Sequence, residues 1–224
     1  IVHAADSLGP EGYEIQDQSP RHAETCQFCP GKEHLTPPEI DAIRLEKHDA
    51  RQPNWQARVV SNKFPALKIE GTLDAQKDGL FEMSNGIGAH EVLIETPVHE
   101  KNMADFTKEE IAHIVKLYQR RLVDLTGDRR FKYVVIFKNY GESAGTSVEH
   151  AHSQIIALPM IPKYVLEELE GARAYREKSQ RCVFCDIIGQ EYKDQNRILS
   201  ENDDFIAFCP FVPRYAFEYW IMPK

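Results

Sequence analysis

The sequence predicts an α+β fold, on three observations. Several short runs rich in β-branched and aromatic residues are closed by proline, as strands are. One long stretch, Thr107 to Leu125, combines a capping box with an apolar stripe of helical period. A weak internal repeat occurs twice: Cys-x-Phe-Cys, a strand, an aromatic–proline turn, then a strand ending in proline.

The elements follow in order. Residues 1–25 are polar and without periodicity, and are expected to form an irregular arm. Thr36-Pro37-Pro38-Glu39 predicts a turn opening a short helix over Glu39 to Lys47, with proline near its start. Gln56 to Ser61 and Ala66 to Ile69 are expected strands flanking Asn62-Lys63-Phe64-Pro65. Residues 70–86, rich in Gly, Asp and Ser, predict a mobile loop. His90 to Glu95 is a strand ended by Pro97. In the long helix Thr107 and Glu110 form the box, and Ile111, Ile114, Leu117, Leu122 and Leu125 the stripe. Phe131 to Phe137 is a strong β run, leading through Asn139 and a small-residue loop into a strand from His150 to Leu158. Lys163 to Lys178 predicts a connecting helix. The second copy of the repeat stops at Lys224 on a strand. The expected organisation is an arm (1–25), a lobe (26–178), and the start of a second, related and incomplete lobe (179–224).

Composition narrows the function classes. A net charge of −8 excludes a dedicated nucleic-acid binder, which needs a basic face. No apolar run approaches the roughly 20 residues of a membrane span. An odd count of 5 cysteines fits a reducing cytoplasm and metal thiolates better than a disulfide framework. Cys26 and Cys29 suit a tetrahedral zinc ion, and Pro30-Gly31 supplies a turn where a redox motif would start a helix. Two further ligands are needed. His34 and His48 lie nearby in sequence, whereas His99 and His150 lie at strand ends. Cys182 and Cys185 are too far along the chain to share one ribbon, and suggest a separate site.

The most telling stretch is His150-Ala151-His152-Ser153-Gln154. On a strand of period two, His150, His152 and Gln154 share one face. Just upstream, Gly141 to Ser147 is a loop of small residues whose backbone N–H groups can approach an anion closely. A phosphate-holding loop feeding imidazoles suggests phosphorus chemistry. Trp55, Arg58 and Glu149 invite a functional role but the sequence assigns them none.

Three segments together resemble the galactose-1-phosphate uridylyltransferases of the histidine-triad superfamily. They are Cys-x-Phe-Cys-Pro-Gly with Thr-Pro-Pro-Glu, Arg58 to Leu67, and Ser143 to Gln154. The resemblance implies an antiparallel sheet with flanking helices in a histidine-triad-like lobe, duplicated, the second lobe being incomplete here. It implies zinc held by Cys26, Cys29, His99 and His150, with Cys182 and Cys185 as half of a second zinc site. It implies His152 as the nucleophile and Gln154 as a contact of the transferred phosphoryl group. Asn62, Lys63, Asn139, Gly145, Thr146 and Ser147 match positions that bind the nucleotide and its phosphates. The implied partners are a nucleotide sugar and a sugar 1-phosphate or phosphate, acting in a cytoplasmic homodimer.

The expected reaction is ping-pong exchange of UDP-glucose and galactose 1-phosphate through a nucleotidyl-His152 intermediate, as in galactose metabolism. The rival is adenylyl transfer from ADP-glucose on the same scaffold. Histidine-triad hydrolases carry a third histidine where Gln154 stands. A glutamine cannot relay a proton, which favours transfer over hydrolysis. A non-catalytic zinc module is the remaining reading.

Overall fold

A computed structural model of the chain describes residues 24–45, 54–141, 144, 146 and 148–224. They form two compact units that divide at Pro162, so the connecting helix belongs to the second. The expected arm, apart from Glu24 and Thr25, lies outside the described residues. Among these, no helix is long and apolar enough to cross a membrane.

The first unit is a five-stranded antiparallel sheet with one long helix across one face. Its strands are β1 (Glu39–Arg44), β2 (Trp55–Ser61), β5 (Ala89–Ile94), β6 (Tyr133–Phe137) and β7 (His152–Leu158), in the order β1-β2-β5-β7-β6. Helix α1 (Lys108–Gly127) starts where its capping box predicts. The Thr107 hydroxyl accepts from the Glu110 N–H, and the Glu110 carboxylate accepts from the Thr107 N–H. Ile114, Leu117 and Leu125 of its stripe are buried against Ala57, Val59, Leu93, Ile155 and Ala157. A second apolar cluster, Trp55, Val60, Val92 and Ile94 with Cys26 and Phe28, fills the opposite face. Both faces are therefore covered, which explains why β2 and β5 are almost continuously buried.

Four local expectations need correction. Glu39 to Lys47 is not a helix: Glu39–Arg44 is the edge strand β1, antiparallel to β2, and residues 46–53 lie outside the described residues. Pro37 and Pro38 suit an extended entry as well as a helix start. The open hydrogen-bonding edge of a buried β2 outweighs the weak local preference. Ala66 to Ile69 is not a strand either, and is held by an isolated parallel bridge between Lys68 and Ile87. The expected loop at 70–86 contains a hairpin of β3 (Gln76–Asp78) and β4 (Phe81–Met83). Gly79, at φ +59°, takes the first position of its two-residue turn, as twist-matched hairpins require. Finally, His150 is not on the strand, since β7 begins at His152.

The second unit contains α2 (Lys163–Ser179), α3 (Val183–Asp194), β8 (Ile198–Glu201), β9 (Phe205–Phe208) and β10 (Trp220–Pro223). Its sheet has the antiparallel order β10-β9-β8. Ile206 and Phe208 are fully buried there, and the Phe208 ring packs edge-on against Trp220. The meander β8-β9-β10 repeats the order β1-β2-β5 after its own Cys-x-x-Cys pair, which is the structural form of the sequence repeat. The two copies differ locally, because helix α3 follows Cys182 where a 3-10 turn (Glu33–Leu35) follows Cys29.

One charged group interrupts the apolar stripe of α1. Arg121 is buried and pairs bidentately with Glu91 of β5, at 2.8 and 2.7 Å. Truncating one partner strands the other in a low-dielectric site. Arg121→Met is expected to lose about 3–5 kcal/mol of stability in urea unfolding, and adding Glu91→Leu to recover most of it.

Candidate active site and metal centre

Pairing of β5 with β7 builds the site. Ile94 stands opposite His152, Val92 opposite Gln154, and His90 opposite Ile156. Alternation then sends Ser153, Ile155 and Ala157 into the helix-side core, fully buried, and leaves His152 and Gln154 half-buried on the other face.

The structure brings Cys26, Cys29, His99 and His150 together, with their ligand atoms all within 4.8 Å of one another. His34 takes no part in this cluster, and His48 lies outside the described residues. Cys26 Sγ is 3.6 Å from His150 Nδ1, while Cys29 Sγ is 3.3 Å from His99 Nδ1 and 3.7 Å from His150 Nδ1. Tetrahedral zinc, with Zn–S of about 2.3 Å and Zn–N of about 2.05 Å, separates sulfur from nitrogen by about 3.6 Å. The cluster therefore fits zinc without rearrangement. The tautomer agrees: His150 Nε2–H donates to the Thr96 carbonyl at 2.7 Å, which leaves the Nδ1 lone pair facing the sulfurs. Burial pushes the His150 pKa down to about 4, so the ring is a neutral ligand at ordinary pH. Burial and then the neighbouring Cys26 push the Cys29 thiol up to about 11. The four side chains offer one ligand atom each, the number a tetrahedral metal ion takes.

Cys182 and Cys185 are both exposed, Cys182 at the N-terminus of α3. Among the described residues no third metal-type ligand joins them.

His152 is poised differently. Its Nδ1–H donates to the His150 carbonyl at 2.8 Å, so Nε2 carries the lone pair. Phe28, from the Cys26–Cys29 turn, packs edge-on against both the His150 and His152 rings, at 6.2 and 5.4 Å. Burial, together with the Lys138 cation, lowers the His152 pKa below its ordinary value and so favours the neutral ring. Lys138 Nζ donates to the His152 carbonyl at 3.2 Å and to the buried carboxylate of Glu95. Beneath the strand the Tyr118 hydroxyl donates to Ser153 at 2.8 Å.

Of the residues expected to bind the nucleotide, Asn62 reaches Gln154 through His90. Asn62 lies at the end of β2 with its Nδ2 3.0 Å from His90 Nε2, and Gln154 Oε1 lies 2.8 Å from that same nitrogen. Lys63 is exposed and reaches the Leu35 carbonyl at 3.5 Å. Asn139 follows Lys138 just beyond β6. In the small-residue loop Thr146 N–H donates to the Gly141 carbonyl, and its hydroxyl is buried without a partner among the described residues. Gly145 and Ser147 lie outside the described residues. Arg58 and Trp55 serve the fold: the guanidinium stacks 5.6 Å over the indole and bonds Thr36, and the indole N–H donates to Glu33. Glu149 is exposed.

Sequence reasoning passed over Glu95, Lys138 and His90. Period counting places His90 on the same side of its strand as Val92 and Ile94, but the register that sets it beside Gln154 is a property of the folded sheet.

Fold and site together define a histidine-triad-like lobe carrying a Cys2His2 cluster. The family model for galactose-1-phosphate uridyl transferase, N-terminal domain, matches residues 8–162, and the chain belongs to that family. It is 35 % identical over 211 residues to an ADP-glucose phosphorylase of Arabidopsis thaliana, covering 93 % of this chain and 57 % of that protein. It is 31 % identical over 211 residues to a galactose-1-phosphate uridylyltransferase of Haemophilus influenzae, covering 93 % of this chain and 56 % of that one. A crystal structure of the Arabidopsis thaliana ADP-glucose phosphorylase with bound ADP-glucose matches with a TM-score of 0.73 at 32 % identity. That match covers 96 % of this chain and 62 % of the other. The chain thus spans under two thirds of the length of these relatives.

Loading with zinc should give one ion per chain at this cluster, and Cys26→Ser should lose it, as read by metal analysis. Affinity should fall as pH falls, because zinc must displace the raised Cys29 proton while His150 competes for protons only near pH 4. Competition with a chelator between about pH 8 and 6 should show zinc affinity weakening by at least about tenfold per pH unit.

Proposed function

We propose that this chain carries the nucleotidyl-transfer site of a nucleotide-sugar transferase, with His152 as the nucleophile. The observation that carries the reading is the His152 tautomer. With Nδ1–H held by the His150 carbonyl, the Nε2 lone pair is free to attack the α-phosphorus of a nucleoside diphosphate sugar. The N–P bond forms as the bond to the sugar phosphate breaks, and the sugar 1-phosphate leaves with its electron pair. The nucleotidylated ring is cationic, and the carbonyl already accepting from Nδ1–H stabilises that charge. An acceptor phosphate oxygen then attacks from the other side, and the electron pair returns to Nε2.

Gln154 presents an amide to the transferred phosphoryl group, and Asn62, Lys63, Asn139 and the Gly145–Thr146–Ser147 loop hold the nucleotide and its phosphates. Zinc on Cys26, Cys29, His99 and His150 would supply a rigid crosslink between the Cys turn, the end of β5 and the start of β7. No proton transfer at His152 depends on it. Gln154 cannot relay a proton to water, which favours an intermediate that waits for a phosphate acceptor.

The donor we favour is ADP-glucose, with phosphate as acceptor. Its support is the 35 % identity to an ADP-glucose phosphorylase, against 31 % and 28 % for two galactose-1-phosphate uridylyltransferases. UDP-glucose with a hexose 1-phosphate acceptor is the second reading, supported by the family model. Full-length zinc-loaded protein mixed with donor labelled at the α-phosphate, then quenched in alkali, should retain label. ADP-glucose should label faster than UDP-glucose, and the reverse order would move the assignment to uridylyl transfer. His152→Ala should abolish labelling and cut turnover by more than roughly 10⁴-fold. Gln154→Ala should slow single-turnover labelling by about 10²-fold.

A further inference from the structure

His90 has no part in the chemistry above, yet it is wedged between two residues that do. The Ala66 N–H donates to His90 Nδ1 at 3.1 Å. A backbone amide can only donate, so Nδ1 holds the lone pair and the ring proton sits on Nε2. That Nε2 is 2.8 Å from Gln154 Oε1 and 3.0 Å from Asn62 Nδ2. Asn62 cannot accept from it, because the Phe64 N–H donates to Asn62 Oδ1 at 2.9 Å and turns the amide nitrogen toward the ring. Two N–H groups do not bond each other. The Nε2–H therefore has one acceptor, the Gln154 oxygen.

The consequence lies at the other end of Gln154. Glutamine is pseudo-symmetric, and a reversed amide would aim its carbonyl oxygen at an anionic phosphoryl group. With Oε1 held by His90, the NH2 end is the one left for substrate. The support for His90 is itself built in. Lys68 N–H donates to the Gly86 carbonyl at 2.8 Å, and Gly88 N–H donates to the Lys68 carbonyl at 2.9 Å, which fixes the segment carrying the Ala66 amide. Gly88 permits this because a Cβ there would lie 2.3 Å from the Ala157 carbonyl oxygen of β7.

We propose that His90 is a positioning residue for nucleotidyl transfer: its Nε2–H fixes the Gln154 amide with the NH2 group toward the transferred phosphoryl. This rests on the reading that Gln154 meets that group.

The test is single-turnover labelling of the full-length zinc-loaded protein from α-labelled ADP-glucose and UDP-glucose. His90→Leu is expected to slow labelling about tenfold at saturating donor, with donor affinity, zinc content and melting temperature near wild type. His90→Gln, whose own NH2 can donate to the same oxygen, should restore the rate to within about threefold. In a Gln154→Ala background His90→Leu should change nothing further. A wild-type rate in His90→Leu, or a tenfold loss that persists without Gln154, overturns the proposal. In the unmodified protein, nitrogen NMR reads the tautomer even if the leucine variant fails to fold. A proton on His90 Nδ1 overturns it equally. If the wild type takes no label from either donor, the covalent reading itself fails and the proposal falls with it. If the wild type and His90→Leu label alike, only the proposal fails.

Discussion

The antiparallel register of β5 on β7 is the constraint on which everything else depends. It sets Ile94 opposite His152 and Val92 opposite Gln154, and it delivers Glu95 and Thr96 to the residues just before β7. The Thr96 carbonyl then fixes the His150 tautomer, and the Glu95 N–H donates to the Ala151 carbonyl to extend the ladder past the strand's formal start. A slip of one residue would send His152 and Gln154 into the helix-side core and Ser153 out to the site. The sheet resists that slip because Ser153, Ile155 and Ala157 are wholly buried under α1.

The same alternation explains why this core tolerates so much charge. Residues of β5 and β7 that face α1 are apolar or are satisfied by it: Glu91 by Arg121 and Ser153 by Tyr118. Beyond the end of β5, Glu95 meets Lys138, which also bonds the His152 carbonyl. Glu91 with Arg121, Ser153 with Tyr118 and Glu95 with Lys138 are each matched across neighbouring elements, so these pairs fix how strand and helix sit as well as stabilising them. Burial of the Tyr118 hydroxyl pushes its pKa to about 12, so it serves as a hydrogen-bond donor under the strand and not as an acid.

Legibility in the sequence followed the range of the interactions. The capping box of α1, the strand alternation around Gln154 and the turn after Cys29 are local, and they read correctly. Edge strand β1 did not, because Glu39 to Arg44 is extended through its pairing with β2 across the chain and not through its own propensity. The hairpin at 76–83 was hidden by a composition that suggests only a loop. The Cys2His2 cluster brings cysteines to histidines 70 to 124 positions away, a closure that spacing alone left open among several histidines. Resemblance to a family supplied it, and the short sulfur–nitrogen distances then stood on their own. His90 was invisible because its significance lies in a tautomer, which depends on which backbone amide reaches Nδ1.

The proposed metal ligand His150 and the proposed nucleophile His152 are two residues apart but are set apart by their hydrogen bonds. His150 donates from Nε2 and turns Nδ1 toward the sulfurs, whereas His152 donates from Nδ1 and carries its lone pair on Nε2. The acceptor for His152 is the carbonyl of His150 itself. Anything that holds His150 rigid therefore also holds the atom that orients the His152 ring. A metal held by the Cys2His2 cluster would thus act on the proposed nucleophile through backbone geometry, with no open coordination position required. Lys138 grips the carbonyl of His152, so main-chain groups on both sides of this ring are held in place. The precision of the site is carried by carbonyls and their partners, and the side chains inherit it.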